Sequence, residues 1–520
     1  MTRITKGLLF AVLVSALFGE KTHAATYTAA SCAESDVSTA IGMASTGDTV
    51  IIPSCSSTTP GGSNTWSSIL AINTAITLQG QGVGKTVLID NVPKGTCATG
   101  PIIVMQPSGT AAWRVTGMTI EAETTDVGFC TSHFSIGGGS HAFRIDNITF
   151  NDDGFSPAGG SADAIIPSGD LWGVIDHVTC NNARRRCVLD HAQAGSNPPT
   201  SLEDTYWSVP DTMGTQQAVF MENDTCNQSS PNTGSNCFAC EFGARCVIRF
   251  STMSTIGSHG PESADRSVRQ MEIYNNTFNM TGTSGGTAID VRGGTGMVFD
   301  NTATTAAYGN AMTELSYYRC NASGQGCGSY FPWGQCNGVI YNGNNALWDS
   351  GSYPCLDQPG RGQGVLINRA GCSGGSSSCT AAGWPNEAQD PIYEWGNNNN
   401  GTTNPGITAF PAGTSPTQVL ANADYYASTA SFTGASGVGV GTLASRPSTC
   451  TAGVAYWATD QGNWNQSGSG GQGQLYQCSA TNAWTTYYTP YTYPHPLDTS
   501  GGLSATAVVS GMTLIGATVY

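Results

Sequence analysis

Several acidic residues recur at one position of a repeated phrase and could form a cation site. The phrase holds an apolar residue, a polar one, usually Asn, and a Thr, as in Ile145-Asp146-Asn147-Ile148-Thr149. The residues one place before the Asn position are Thr116, Asp146, Asp176, Glu222, Arg249, Tyr274, Asp300 and Tyr341. If the phrases stack, three consecutive carboxylates lie about 5 Å apart. Such oxygen ligands suit Ca²⁺, so we predict a calcium site at Asp146, Asp176 and Glu222. The alternative is a row of solvated acids balanced by Arg249.

A second ionisable cluster lies between Ser258 and Arg269. Its His and Arg side chains could remove a proton from a uronic acid and neutralise the sugar carboxylate, as β-elimination requires. We therefore predict His259 as the base, with Arg249, Arg266 and Arg269 as the cations. Glu262 is a predicted substrate contact. The alternative is an ion-paired turn that orders a loop.

Aromatic and acidic residues extend these possibilities. Trp172 and Trp207 could line a sugar groove, although half-buried packing against a coil edge is the default for a tryptophan. Hydrolysis needs two carboxyl groups at a defined separation, which Asp176 with Glu222 could supply. The Asp152-Asp153 pair is a further option for hydrolysis, but it is more typical of a turn.

The repeated phrase predicts a stack of similar coils. Its Asn position is occupied by Gly117, Asn147, His177, Asn223, Phe250, Asn275 and Asn301, at steps of 25 to 46 residues. A solenoid accommodates such steps when extra residues loop out, whereas a β-sandwich, the alternative, would not repeat one phrase in phase. We expect these side chains to point inward and form a ladder of amides, with His177 a stacking residue.

The termini and the composition suggest an exported protein. Residues 1–24 have a basic start, an apolar run from Leu8 to Phe18 and a small-residue end, which is typical of a signal peptide. The net charge of −16 argues against nucleic acid as a partner, and no later apolar run is long enough to cross a membrane. The 18 cysteines predict disulfides, whose pairing the sequence leaves open. A zinc site at Cys237-Phe-Ala-Cys240 is less favoured.

The two ends of the stack differ from its middle. Residues Asp36 to Ala44 place apolar side chains on one face and predict a helix that caps the first coil. Near the other end, Tyr456-Trp457 and Leu475-Tyr476 flank a Gly/Ser-rich connector, with Cys450 and Cys478 outside them. We predict a disulfide-closed hairpin there. The expected divisions are residues 1–24, 25–435 and 436–520.

The lead-in resembles secreted bacterial proteins of the pectate-lyase-like superfamily. The resemblance is carried by Ser35-Asp36-Val37, Gly47-Asp48-Thr49-Val50-Ile51-Ile52-Pro53, Ile76-Thr77-Leu78-Gln79-Gly80, Gly173-Val174-Ile175-Asp176-His177, Met271-Glu272-Ile273-Tyr274-Asn275-Asn276-Thr277-Phe278 and Cys355-Leu356-Asp357-Gln358-Pro359-Gly360-Arg361-Gly362. It implies an all-β fold, a right-handed parallel β-helix. The acidic column with its nearby Arg is similar in kind to the calcium site of pectate lyases.

The expected function is cleavage of an acidic polysaccharide by β-elimination. We expect the protein to be secreted or periplasmic and monomeric, with the polysaccharide as its partner. The superfamily also contains hydrolases and adhesins, so a glycoside hydrolase and a carbohydrate-binding surface protein are the alternatives.

Overall fold

The chain is a β-structure with one α-helix among its described residues. The computed structural model describes residues 24–93, 100–122, 129–151, 161–183, 186–191, 210–228, 236–258, 267–279, 287–305, 309, 311–316, 359–365, 386–410 and 419–498. The predicted signal segment, apart from its last residue, and the tail after Asp498 lie outside these ranges. None of the helices in the described ranges is both long and apolar enough to cross a membrane.

The N-terminal helix α1 spans Glu34–Met43, close to the predicted Asp36 to Ala44, and buries Val37 and Ala40 against the first coil. The strands, in chain order, are β1 (Thr26–Thr28), β2 (Thr49–Ile51), β3 (Thr65–Trp66), β4 (Leu70–Ile72), β5 (Thr77–Gln79), β6 (Val87–Asp90), β7 (Ile103–Met105), β8 (Trp113–Ala122), β9 (Phe129–Ile136), β10 (Phe143–Asn151), β11 (Ser161–Pro167), β12 (Gly173–Asp176), β13 (Thr179–Ala183), β14 (Val188–His191), β15 (Val219–Glu222), β16 (Thr225–Gln228), β17 (Phe238–Glu241), β18 (Arg245–Arg249), β19 (Thr252–Met253), β20 (Ile256–Ser258), β21 (Gln270–Tyr274), β22 (Thr277–Phe278), β23 (Ile289–Val291), β24 (Thr295–Phe299), β25 (Thr302–Ala303), β26 (Thr313–Ser316), β27 (Arg361–Val365), β28 (Asn386–Gln389), β29 (Ile392–Trp395), β30 (Asn398–Asn399), β31 (Thr402–Thr403), β32 (Ile407–Phe410), β33 (Tyr425–Ala427), β34 (Val438–Gly441), β35 (Ala455–Ala458), β36 (Gln474–Ala480) and β37 (Ala483–Tyr488).

Two long parallel sheets are built from successive coils of the chain. The coil that begins at Gly173 shows the plan: β12 and β13 belong to the larger sheet, with a bend between them at His177, and β14 belongs to the second sheet. Each strand then pairs in parallel with its equivalent one coil later, β12 with β15, β13 with β16 and β14 with β17. The second sheet contains ten strands, from β4 to β32.

The strand register confirms that the predicted acids are stacked. Asp146 pairs with Asp176, Asp176 with Glu222, and Glu222 with Arg249, so these four residues share one column. The column continues through Tyr274 to Phe299 rather than to Asp300. The expected phase was therefore wrong by one residue at this coil.

The Asn position of the phrase is a bend and not an inward ladder. Asn147, His177, Asn223, Phe250 and Asn275 all have a φ between 51° and 59°, and Asp300 takes the same role with a φ of 52°. Asn tolerates this left-handed conformation better than most residues, which explains the recurring amide. The side chains at these bends are exposed or half-buried, so the expected inward orientation is wrong for these residues. Asn301, the last member of the predicted ladder, is buried as expected.

The inward amide ladder lies one residue later, at Asn276, Asn301 and Asn397. The Nδ2 of Asn276 donates to the Oδ1 of Asn301 at 3.0 Å, and the Nδ2 of Asn301 donates to the Oδ1 of Asn397 at 3.0 Å. All three are buried. These bonds satisfy polar groups that would otherwise be unpaired inside the coil.

Two apolar clusters lie on opposite faces of the larger sheet. The inner one includes Ile145, Ile175, Met221, Ile248 and Ile273, and it fills the interior of the coils. The outer one joins Phe220, Val247 and Phe299 to residues of the C-terminal region, among them Trp457 and Tyr488. The C-terminal region therefore covers the outer face of the larger sheet.

The C-terminal region is a four-stranded sheet, β34 to β37. In the hairpin of β35 and β36, Tyr456 pairs with Tyr476 and Trp457 with Leu475, as the sequence predicted. The Cys450–Cys478 disulfide closes it. Further disulfides in the described residues are Cys32–Cys55, Cys180–Cys187, Cys226–Cys237 and Cys240–Cys246. Because Cys237 and Cys240 are both oxidised, they are not zinc ligands.

Candidate functional site

The column of acids is buried beneath the C-terminal region. Asp146, Asp176 and Glu222 have no exposed surface. Glu222 accepts a hydrogen bond from the Nε of Arg249 at 2.7 Å and another from the backbone N–H of His495 at 2.8 Å. The sequence predicted the column but not its cover, which comes from a segment 273 residues away.

Arginines neutralise the other two acids. The Nε of Arg114 donates to the Oδ1 of Asp146 at 2.6 Å. Arg144 donates to both carboxylate oxygens of Asp176, at 2.9 and 2.7 Å. His177 Nδ1 also lies 2.8 Å from Asp176 Oδ2, and this contact raises the pKa of His177. A calcium ion would have to compete with these guanidinium groups, and the calcium site remains a prediction.

Two predicted catalytic arginines are fully buried. Arg249 donates to the backbone oxygens of Tyr491 and Thr492, at 2.7 and 2.9 Å, and so ties the C-terminal segment to the sheet. Arg269 lies 2.9 Å from the carboxylate of Asp390. The guanidinium charge of Arg249 is balanced by Glu222 and that of Arg269 by Asp390. Neither arginine side chain is exposed to solvent.

Four predicted site residues lie outside the described residues. They are His259, Glu262, Arg266 and Trp207. Ser258, which precedes His259, is the last residue of β20 in the second sheet. Arg249 instead ends β18 in the larger sheet. We expected His259 and Arg266 to act together with Arg249. The strand that precedes His259 and the strand that contains Arg249 belong to different sheets.

Trp172 lines a small, open pocket of about 20 Å³ between the second sheet and the larger one. Its ring stacks on that of His141, with centroids 3.9 Å apart and planes 9° from parallel. Asp170 and Arg245 also line the pocket. Arg245 is half-buried, and its Nη1 donates to the backbone oxygen of Pro210 at 2.9 Å. The pocket thus combines an aromatic ring, a carboxylate and a guanidinium group.

A histidine–carboxylate pair flanks this pocket. His191 and Glu241 are register partners at the ends of β14 and β17, and the Nε2 of His191 lies 2.6 Å from the Oε1 of Glu241. The backbone oxygen of His191 accepts a bond from Gly169, which is itself part of the pocket lining. About one tenth of each side chain is exposed. Sequence reasoning missed this pair, although His191 lies two residues after the apolar run Val188-Leu189.

More ionisable groups lie further along the second sheet. Asp290 and Glu314 are register partners on β23 and β26, and both are half-buried. Arg292 Nε donates to Asp290 at 2.8 Å, and the Ser316 hydroxyl donates to the other oxygen of Asp290 at 2.8 Å. Burial, with a contribution from the charge of Asp290, raises the pKa of Glu314. Two neighbouring carboxyl groups therefore have different surroundings.

Comparisons with known proteins do not assign a family. No family model matches the chain, and no curated protein matches it. The solved structure of an alginate lyase from Paenibacillus sp. str. FPU-7 is similar over 55% of this chain and 97% of that chain, with 14% identity and a TM-score of 0.35. At this identity and TM-score, the similarity does not establish a shared activity.

Proposed function

We propose that this chain is an exported, right-handed parallel β-helix protein that cleaves an acidic polysaccharide by β-elimination. The observation that carries the proposal is the His191–Glu241 pair beside the pocket lined by Trp172 and Arg245. An aromatic ring, a general base and a cation are the groups that bind a uronic acid and remove its proton. The disulfides support an oxidising compartment, and hence export.

Each group has a distinct role in the proposed reaction. Trp172 stacks on a sugar ring, as aromatic rings do on apolar faces. Arg245 pairs with the sugar carboxylate and stabilises the charge that develops when the neighbouring carbon, C5, loses its proton. His191 takes that proton, and Glu241 orients the imidazole and stabilises its charged form. The C5 electron pair forms the C4–C5 double bond as the C4–oxygen bond breaks, and the leaving oxygen takes a proton from water.

The loop after Ser258 extends this site in the proposal. His259, Arg266 and Glu262 follow β20, whose strand belongs to the same sheet as His191 and Glu241. The helical body is proposed to end near residue 435, and residues 436–498 to form a separate covering region.

A glycoside hydrolase is the second candidate, and the Asp290–Glu314 pair favours it. The Cα atoms of register partners in a parallel sheet lie about 5 Å apart, which is close enough for two carboxyl groups to act together as they do in retaining enzymes. Glu314, with its raised pKa, would be the acid, and Asp290, held by Arg292 and Ser316, the nucleophile.

One assay separates these possibilities. The purified protein is incubated with polygalacturonate, alginate and other uronic polymers, and the products are followed by ultraviolet absorbance and by reducing ends. A lyase generates an unsaturated product that absorbs, together with new reducing ends. A hydrolase generates reducing ends alone. If neither signal rises with any polymer, the enzyme proposal fails.

A further inference from the structure

The carboxyl group of Asp190 is buried without a partner. Asp190 lies in β14, and only 3% of its surface is exposed. Burial raises the pKa of this carboxyl group well above its usual range, and no hydrogen bond or neighbouring charge in the described part of the chain lowers it. Buried polar groups normally have a hydrogen-bond partner, so the position of this carboxyl group requires an explanation.

Asp190 faces the Cys240–Cys246 disulfide inside the coils. Its register partner on β17 is Cys240, and both cysteines belong to the inner apolar cluster. One oxygen of Asp190 and the two sulfur atoms all lie within 4.8 Å of one another. The Cα atoms of the two cysteines are 6.7 Å apart. A carboxyl oxygen and two sulfurs therefore converge on one point.

The same group lies beside the open pocket at Trp172. Asp190 lines this pocket, together with residues 243–245 of the turn that joins the two cysteines. A volume of about 20 Å³ has room for about one water molecule. The pocket therefore gives a solvent molecule access to the group.

The guanidinium group of Arg245 does not oppose a cation at Asp190. Its Nη1 donates to the backbone oxygen of Pro210 and to the hydroxyl oxygen of Thr212, both at 2.9 Å. Its charge does not contribute to the pKa of Asp190. The positive charge that would balance an ionised Asp190 is therefore not supplied by this arginine.

We propose that the reduced protein binds one Zn²⁺ ion at Asp190, Cys240 and Cys246. Two thiolate sulfurs and a carboxylate oxygen are three ligands of a tetrahedral zinc site, and a water molecule in the pocket is the fourth. Soft sulfur ligands select zinc over calcium. In the oxidised protein the two sulfurs are bonded to each other, and the site does not exist. The Cys237-Phe-Ala-Cys240 site considered from the sequence is a different one, because Cys237 is joined to Cys226.

The site forms after a two-electron reduction. A dithiol transfers two electrons and two protons to the Cys240–Cys246 bond, which breaks into two thiols, while the dithiol is oxidised to a disulfide. Zinc binding then releases the two thiol protons and the proton of Asp190 to the solvent. The ion supplies the charge that the buried carboxylate lacks in the oxidised protein. No substrate takes part, so the site is independent of the proposed cleavage.

The test is zinc uptake by the full protein before and after reduction. The protein is treated with dithiothreitol, freed of it by anaerobic gel filtration, equilibrated with Zn²⁺ and analysed for bound metal. We expect the reduced wild type to bind one more zinc ion per chain than the oxidised protein. Asp190→Asn keeps the size of the side chain and removes its charge, and it should bind this ion at least tenfold more weakly. Cys246→Ser should not bind it.

Co²⁺ serves as a spectroscopic probe of the same site. Cobalt with thiolate ligands has a charge-transfer band that the hydrated ion lacks, so the reduced wild type should gain this band and Cys246→Ser should lose most of it. The matched control carries Cys450→Ser and Cys478→Ser, which remove the disulfide of the C-terminal sheet. This control should bind zinc and cobalt like the wild type.

Three results would overturn the site. They are no additional zinc in the reduced wild type, equal zinc affinity in the wild type and Asp190→Asn, and a melting temperature of the reduced wild type that zinc does not raise, because an ion bound to the folded state stabilises it. Circular dichroism establishes that each reduced protein is folded. Oxidised Asp190→Asn should melt close to the oxidised wild type, since both side chains are uncharged there. Lyase or hydrolase products are measured separately, and their absence leaves this inference unchanged.

Discussion

Glu222 and His495 are joined by a hydrogen bond of 2.8 Å although 273 residues separate them. The carboxylate belongs to the acidic column of the larger sheet, and the N–H belongs to the segment that follows β37. Arg249 bonds to the same carboxylate and to two backbone oxygens of that segment. The C-terminal region is therefore attached to the larger sheet through the buried charged groups of Glu222 and Arg249.

The replacement of Arg249 by Met should destabilise this attachment. Arg249 has no exposed surface, and its removal leaves Glu222 buried without a compensating charge. A broken buried ion pair typically costs about 3 to 5 kcal/mol. We expect the free energy of unfolding in urea to fall by about this amount, and proteolysis to release fragments of the C-terminal region first.

Arg446→Met is the matched control for this prediction. Arg446 stacks over Tyr476 with its guanidinium carbon 4.5 Å from the ring centroid, at a half-buried position. A cation–π contact at such a site contributes about 0.5 to 1 kcal/mol. Equal losses of stability in the two variants would contradict the role assigned to Arg249.

Glu272 should make the protein less stable as the pH rises. It is fully buried, and burial raises its pKa to about 7 from the usual 4.5, although it accepts a bond from the Tyr488 hydroxyl at 2.6 Å. The folded protein holds the Glu272 proton more tightly than the unfolded chain does. The stabilisation from this proton is therefore fully present below about pH 4.5 and is lost as the pH rises through about 7. Glu272→Gln should remove this loss, which is on the order of 3 kcal/mol.

The measurement is the free energy of unfolding of wild type and Glu272→Gln across this pH range. The stability difference should shift toward the variant as the pH rises. Asn279→Ala, an exposed change that removes no ionisable group, should run parallel to the wild type. A Glu272→Gln curve that also runs parallel to the wild type would contradict a raised pKa.

His495 should have the opposite dependence on pH. Burial lowers the pKa of His495 well below 6.5, and the charges of Arg249 and Arg144 lower it further. The unfolded chain therefore binds a proton that the folded chain does not, so the contribution is present above about 6.5 and is lost as the pH falls. His495→Gln should flatten the acid side of the stability curve. An unchanged acid slope would show that another group causes it.

The sequence was informative where one coil repeats another. Asp146, Asp176 and Glu222 were expected in one column, and the register places them there, because an apolar–polar–Thr phrase constrains each strand to one phase. The wrong placement of Asp300 in the column comes from applying the same phase to the next coil. Phe299, and not Asp300, occupies the outward position, since Phe299 packs against Trp457 of the covering region. A pattern of hydrophobicity alone would not place an outward Phe there.

The cover itself was not predictable from the repeats. Contacts such as that of Arg144 with the backbone oxygen of Leu497 depend on where a distant region docks, and no local pattern encodes the docking. The hairpin within that region was predictable, because Cys450, Cys478 and the paired aromatics are local signals. The His191–Glu241 pair was missed because its members are 50 residues apart and neither belongs to the repeated phrase.

Removal of calcium should leave the stability of the covered column nearly unchanged. Asp146 and Asp176 each have a guanidinium partner, and Glu222 has another. We expect the melting temperature in a chelator to match that in added calcium. A rise in melting temperature with calcium, lost in Asp176→Asn, would instead support the predicted calcium site at the column. Asp290→Asn removes a carboxylate from the second sheet and is the control. If this variant also loses the rise in melting temperature, the effect of calcium is not specific to the column.

The replacement of His191 by Ala should abolish most of the proposed cleavage. A positioned general base contributes about 10²- to 10⁴-fold to a rate, so kcat on the best uronic polymer should fall by that factor while KM changes little. His177→Ala is the matched control, because His177 also contacts a carboxylate, Asp176, but lies on the larger sheet away from the pocket. Unsaturated product is measured for both variants at several pH values. If His177→Ala loses the activity and His191→Ala retains it, the reaction occurs at the end of the acidic column and the pocket at Trp172 is not the active site.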